Sequence, residues 1–206
     1  MNYPTQASEL IRLLKDDQTE WREFAKVEFE ADYKSSLNQQ RAELRKRVHL
    51  RAQKTLRILD EIGEPTLSNI GADAAQAMSI LALHDSLKSL RKVLSVFILC
   101  YEKNRDTAYF QAIPSMTDWL LVLGRKPQQF GTIWLLDSNK EPYLPIVKDF
   151  ANVNERREQY GIGLLHWPKS LAISEKKQPW LKRPLSELIM RKPTDEEFRE
   201  FAQYYL

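Results

Sequence analysis

His84 stands in an apolar helical stretch, between Leu81 and Leu83 on one side and Leu87 and Leu90 on the other. Imidazole is the side chain most often used as a general acid or base, and a carboxylate commonly orients its ring. Asp118 is the candidate for that role, unless it caps a backbone amide instead. His84 and Asp118 are therefore the catalytic pair to expect if the chain is a hydrolase or transferase, whereas a buried histidine that only satisfies a hydrogen bond makes His84 part of the core. A second group lies further on. Arg156 and Arg157 open a short helix beside Phe130-Gly131-Thr132, and guanidinium groups suit a carboxylate or phosphate. Neighbouring helical residues diverge by about 100°, so only one of the two arginines can face a ligand while the other pairs with an acid such as Asp149 or Glu155. Gln128 and Thr132 add hydrogen-bonding groups, so Gln128, Thr132, Arg156 and Arg157 form the expected ligand-binding set.

Other chemistries find less support. Cys100 is the single cysteine, so a cysteine-based zinc site and an internal disulfide are excluded. His49 and His166 fall in a basic helix and a late loop, with no His-Glu-x-x-His pattern, and no metal is expected. There is no Gly-x-Ser-x-Gly elbow and no glycine-rich phosphate loop, and no cofactor is expected. Residues 39–57 hold seven basic residues against the one acid Glu43. That helix, through Arg41, Arg45, Arg47, Arg51 and Lys54, is an alternative nucleic-acid surface, although it lacks the interleaved aromatics of single-strand binders. The blander reading is a solvated helix face.

The elements that carry these residues follow from periodicity. With 206 residues, 43% of them hydrophobic and only 6 glycines, the composition predicts one mainly α domain with its own core. Helices are predicted over 8–29 and 37–62, the second stopped by Gly63-Glu64-Pro65-Thr66. A long central helix follows from about residue 72 to 103, then a shorter one over 115–123. Residues 130–136 and 143–146 read as a β-hairpin whose second strand, containing Pro145, belongs at an edge. A helix over 152–160 comes next. Residues 1–170 then form a helical core domain with its hairpin near 130–146, and 171–206 a Pro/Lys-rich segment and a C-terminal amphipathic helix. Thr194 to Glu197 is a capping box, and Phe198, Phe201 and Tyr205 share a face of the last helix. The N-terminus lacks a signal-peptide pattern, and the longest apolar run, Val96 to Cys100, is far below the ~20 residues of a membrane span. A cytoplasmic protein with no membrane partner is expected.

Several short signatures occur in a fixed order: Asp17-Gln18 with Arg22, Gly63-x-Pro65-Thr66 followed by Gly71, His84, Asp118, Pro127-Gln128-x-Phe130-Gly131-Thr132, and Val153-Asn154-x-Arg156-Arg157 leading to Gly161. In this order the chain resembles the bacterial domain-of-unknown-function family numbered 6624, over roughly residues 16–167. The resemblance implies that these polar positions converge on one site, and it brings no reaction with it. The chain departs from the family pattern at Glu64, Leu83, Ser86, Trp119 and Ile133. Several polar positions are thus apolar, which implies a divergent member and, if the family is catalytic, an altered or lost activity. A ligand- or protein-binding module with a polar pocket near His84 is the reading expected first, its partner being a small molecule or a protein.

Overall fold

The computed structural model describes residues 1–30, 34–105, 111–137, 141–165 and 190–202. The protein is mainly α. Its chain divides into two compact units, Met1–Ala112 and Ile113–Leu206, where composition predicts one domain and an appendage from residue 171. The reason lies in the apolar stripes. Those of the first four helices cover one another, while the apolar residues after Ile113 gather into clusters of their own.

In the first unit, α1 (Pro4–Glu30), α2 (Lys34–Ile62), α3 (Leu67–Leu83) and α4 (Leu87–Asn104) pack as an up-down-up-down bundle. Cross-helix pairs fix the directions. Glu20 meets Arg47, Asp17 meets Arg51 and Glu9 meets Lys54, so α1 and α2 are antiparallel. Asp85 meets His49, Lys92 meets Asp60 and Lys103 meets Glu64, so α4 runs parallel to α2. Leu10, Leu44, Leu59, Ile70, Met78, Leu81, Leu90 and Phe97 are fully buried between the helices. Each such side chain contributes about 1.5–3 kcal/mol relative to exposure.

The single helix predicted from 72 to 103 is two helices. Its apolar periodicity runs on through the junction and hides the break. At the junction Ser86 adopts an extended conformation and its hydroxyl accepts from the Ser89 amide, so it serves as the N-cap of α4. At the other end α3 starts earlier than predicted, because the Thr66 hydroxyl accepts the Asn69 amide. Gly71 then sits inside α3 at φ 80°, ψ 170°, a conformation open to glycine and strained for other residues. A Cβ there would also meet the Met1 side chain at 3.0 Å. Gly71→Ala is expected to lower stability by about 1–3 kcal/mol, measured by denaturant unfolding.

In the second unit, α5 (Ala112–Leu123) ends in a Schellman-type turn in which the Lys126 amide reaches the Leu121 carbonyl and the Arg125 amide the Val122 carbonyl. The left-handed residue is Arg125, at φ 54°, and not the Gly124 predicted to stop the helix. β1 (Leu135–Leu136) pairs antiparallel with β2 (Pro142–Pro145), Leu135 opposite Tyr143. β2 also pairs in parallel with β3 (Met190–Arg191), so it is the central strand and not the predicted edge. Its prolines are tolerated because each ladder is only two residues long. After a 3-10 turn at Phe150–Asn152 comes α6 (Val153–Gln159).

The capping box at the start of α7 (Asp195–Ala202) forms as predicted: the Glu197 amide donates to the Thr194 hydroxyl, and the Thr194 amide to the Glu197 carboxylate. Phe198 is buried, with the Arg125 guanidinium 4.2 Å from its ring centre. Tyr205 and the side chain of Phe201 lie outside the described residues, as does nearly all of the predicted extended segment. Arg191, hydrogen-bonded to Glu197, holds that carboxyl down at about 2 against the upward push of burial. A depressed carboxyl stabilises the fold fully above its unfolded value near 4.5, and that stabilisation is lost as pH falls through the folded value. Acid titration followed at the Phe198 amide by NMR is therefore expected to show α7 loosening between about pH 4.5 and pH 2.

Candidate functional site

His84 is paired with Asp17, not with Asp118. Asp17 lies on the core-facing stripe of α1, in step with Leu10, Leu13 and Phe24, and its side chain is fully buried. Its Oδ2 is 2.6 Å from His84 Nδ1, and its Oδ1 accepts from Arg51 Nε at 3.2 Å. Arg51, itself buried, also donates through Nη2 to Glu20 at 2.9 Å. Burial works to raise the Glu20 carboxyl, yet the hydrogen-bonded guanidinium groups of Arg51 and Arg47 hold it below its ordinary value.

A carboxylate can only accept, so in the neutral form of the His84 ring the proton sits on Nδ1 and Nε2 presents a lone pair. His84 remains about a third exposed, with a side-chain accessibility of 29%. Among the described residues no hydrogen-bonding partner meets its Nε2. The Trp21 ring stands nearly edge-on at 5.8 Å and limits rotation of the imidazole. An oriented ring with one nitrogen facing out is the arrangement needed to take a proton from, or hold, a ligand.

A second pair adjoins the first. His49 Nδ1 is 3.0 Å from Asp85 Oδ1, and Asp85 Oδ2 accepts from Ser89 Oγ at 2.5 Å and Ser86 Oγ at 3.2 Å. Asp85 is thus held by the same serines that start α4. In the sequence His49 stands only as part of a basic helix, and nothing local marks Asp85 as its partner.

Asp118 does other work. On α5 it is fully buried and faces the loop that follows, where its carboxylate accepts the amides of Gln129, Phe130 and Thr132 at 2.7–3.2 Å and the Thr132 hydroxyl at 2.9 Å. Burial pushes this carboxyl above its ordinary value while those four donors pull it back. Gln128 is equally buried and closes the turn from the other side: its amide nitrogen donates to the Ile133 and Pro145 carbonyls and its oxygen accepts the Ile133 amide. The amides of Gln129, Phe130, Thr132 and Ile133 are therefore spent on side chains, and β1 is shorter than the predicted strand.

The two arginines brace the same loop. Arg157 donates to the Phe130 carbonyl at 2.7 Å and the Gly163 carbonyl at 2.6 Å, and burial lowers its guanidinium against the opposing charge of Asp118. Arg156 donates to the Gln129, Lys148 and Asp149 carbonyls and pairs with the Asp149 carboxylate, the acid expected for one of the two. Gln128, Thr132, Arg156 and Arg157, predicted to bind a ligand, thus form a structural knot whose polar groups already have partners.

The nucleic-acid alternative also loses its footing. Of the five cations proposed for it, Arg47 and Arg51 are tied to Glu20 and Lys54 to Glu9, while Arg51 is buried. Arg41 lies 5.9 Å from the Phe24 ring centre. Arg45 alone is exposed with no ion-pair partner among the described residues. Cys100 is buried and His166 lies outside the described residues. Among the described residues no cluster of three or more histidine, cysteine or acidic side chains is placed to hold a metal, and no helix is long and apolar enough to cross a membrane. No family model, curated protein or solved structure matches the chain.

Proposed function

We propose that the first unit carries a hydrolase or transferase site in which His84 is the general base and Asp17 its positioning residue, and that the chain is a divergent member of the 6624 family it resembles. One observation carries the reading: a buried carboxylate, fixed by a buried arginine, holds His84 Nδ1 at 2.6 Å and leaves Nε2 facing out. Placing two charges in a helical core costs several kcal/mol in desolvation, and well-packed apolar residues generally serve stability as well or better. Such an arrangement at a partly exposed histidine points to a working ring. The family-like positions Asp17 and His84 meet there, although they are 67 residues apart.

A panel of p-nitrophenyl esters of carboxylic and phosphoric acids tests the reading. His84→Gln is expected to lose about 10²–10⁴-fold in turnover of whichever ester the wild type cleaves, while its melting temperature stays near that of the wild type. Glutamine can still donate to Asp17, so the stability cost is about 1 kcal/mol. Wild-type rates in His84→Gln would refute general-base catalysis by this ring.

The binding-module reading keeps support from one feature of the second unit. Val122, Pro127, Pro145, Ile146 and Phe198 line a groove of about 270 Å³. Lys126 and Lys192 line it as well and have no ion-pair partner among the described residues. This suits an apolar ligand carrying a carboxylate.

A further inference from the structure

Four side chains near the start of α4 have no role in the account so far: His49, Asp85, Arg45 and Lys88. We propose that His49 is a second working imidazole beside His84, and that the two take a phosphate-bearing small molecule with Arg45 and Lys88 as its cations. The inference rests on the reading of His84 given above and names the chemistry of its ligand.

The placement follows from the bundle. His84 and Asp85 are consecutive, so their Cα atoms are only about 3.8 Å apart. His84 turns to α1, where Asp17 holds it, and Asp85 turns to α2, where it holds His49 Nδ1 at 3.0 Å. Both rings are thus held by a carboxylate through Nδ1, and each keeps Nε2 for a ligand. Asp85 is fixed for this by two serine hydroxyls, a more elaborate support than a surface pair needs. α1 and α2 run on past this junction, as the packing of Trp21 and Phe24 against Leu44 and Val48 shows. The junction is therefore a ledge at the foot of a projecting helical hairpin.

Two free cations overhang the ledge. Arg45 lies four residues before His49, and residues at that spacing share a helix face with about 5–6 Å between their Cβ atoms. Lys88 lies four residues before Lys92, which reaches across to Asp60 of α2 at 2.6 Å, so Lys88 is on the α4 face turned to α2. Both are exposed, and neither has an ion-pair partner among the described residues. Every acid described at this ledge, Asp17, Glu20 and Asp85, is already bound to a base or hydroxyl. A guanidinium and an ammonium donate to the anionic oxygens of a phosphate group, and a phosphate hydroxyl donates to an imidazole Nε2 that holds a lone pair.

The test uses inorganic phosphate and the full-length protein, with histidine ring resonances assigned through His84→Gln and His49→Gln. Phosphate is expected to shift both rings with a single dissociation constant, and chloride at matched ionic strength neither. The double variant R45A/K88A is expected to bind phosphate at least tenfold more weakly with its fold intact. Movement of the His84 ring alone, of neither ring, or an unchanged constant in the double variant would overturn the inference. Retention of a short single-stranded oligonucleotide at low salt, lost in the double variant, would also overturn it by assigning the phosphate to a nucleic acid. Cleavage of carboxylic esters that depends on His84, with no response to phosphate, would leave the catalytic reading standing and remove this one. Phosphate binding by both rings without any turnover would do the reverse.

Discussion

Asp118→Ala is expected to unfold the loop of residues 128–133 and to lower the stability of the second unit by about 3–5 kcal/mol. The carboxylate, itself fully buried, is the acceptor for three backbone amides and one hydroxyl. Each buried donor left without a partner costs roughly 1–3 kcal/mol, and no neighbouring side chain can replace two oxygens at once. In a unit of this size such a loss lowers the melting temperature by about 10 °C or more. Asp118→Asn should lose less, because its one oxygen keeps part of the set. Calorimetry of both variants checks the order. Turnover that disappears from a variant melting like the wild type would instead return Asp118 to the catalytic role that the sequence suggested.

The second large effect concerns Asp17. Asp17→Ala leaves the Arg51 guanidinium buried with Glu20 as its remaining acid and removes the one hydrogen bond that the His84 ring makes among the described residues. Breaking a buried pair by removing one partner costs about 3–5 kcal/mol. Replacing both members by apolar residues of similar size, as in Asp17→Leu with Arg51→Met, should recover most of that loss, since buried ion pairs seldom outperform apolar packing. The double variant should therefore melt near the wild type and yet be inactive. A double variant that melts as low as Asp17→Ala would show that the charges serve the fold, and the functional argument from their cost would fail.

Much of the bundle was legible in the spacing of leucines and alanines, because helices that cover one another must carry apolar residues at steps of three and four. The same signal misled at residues 84–86. There Leu83 and Leu87 continue the period through a true break, and only the serine cap that starts α4 marks it. The capping box at Thr194 was readable because its two hydrogen bonds are local. The site was readable only in part. His84 stood out by its type, but its partner lies 67 residues away, and separation along the chain carries no trace of that contact.

One clue did exist. Asp17 and Arg51 fall on the apolar stripes of α1 and α2, among residues such as Leu13, Phe24, Val48 and Ala52 that are all buried. Charges in those positions must meet, and both helices run past one another there. Gln128, Thr132, Arg156 and Arg157 illustrate the opposite error. Polar residues clustered around a glycine turn suggest ligand groups, whereas a short irregular loop needs such side chains to satisfy its own backbone. Gly131, at φ 65° with Val147 and Leu165 side chains 3.3 Å from where a Cβ would be, belongs to the same knot.

The most direct measurement is the protonation pattern of the His84 ring, read from nitrogen-15 shifts in long-range proton–nitrogen spectra at a pH where the ring is neutral. With Asp17 holding Nδ1, the proton is expected on Nδ1 and the bare lone pair on Nε2, and Asp17→Asn should mix or reverse the two forms. A wild-type ring protonated on Nε2 would contradict the account, because the nitrogen said to face the ligand would have no lone pair to give.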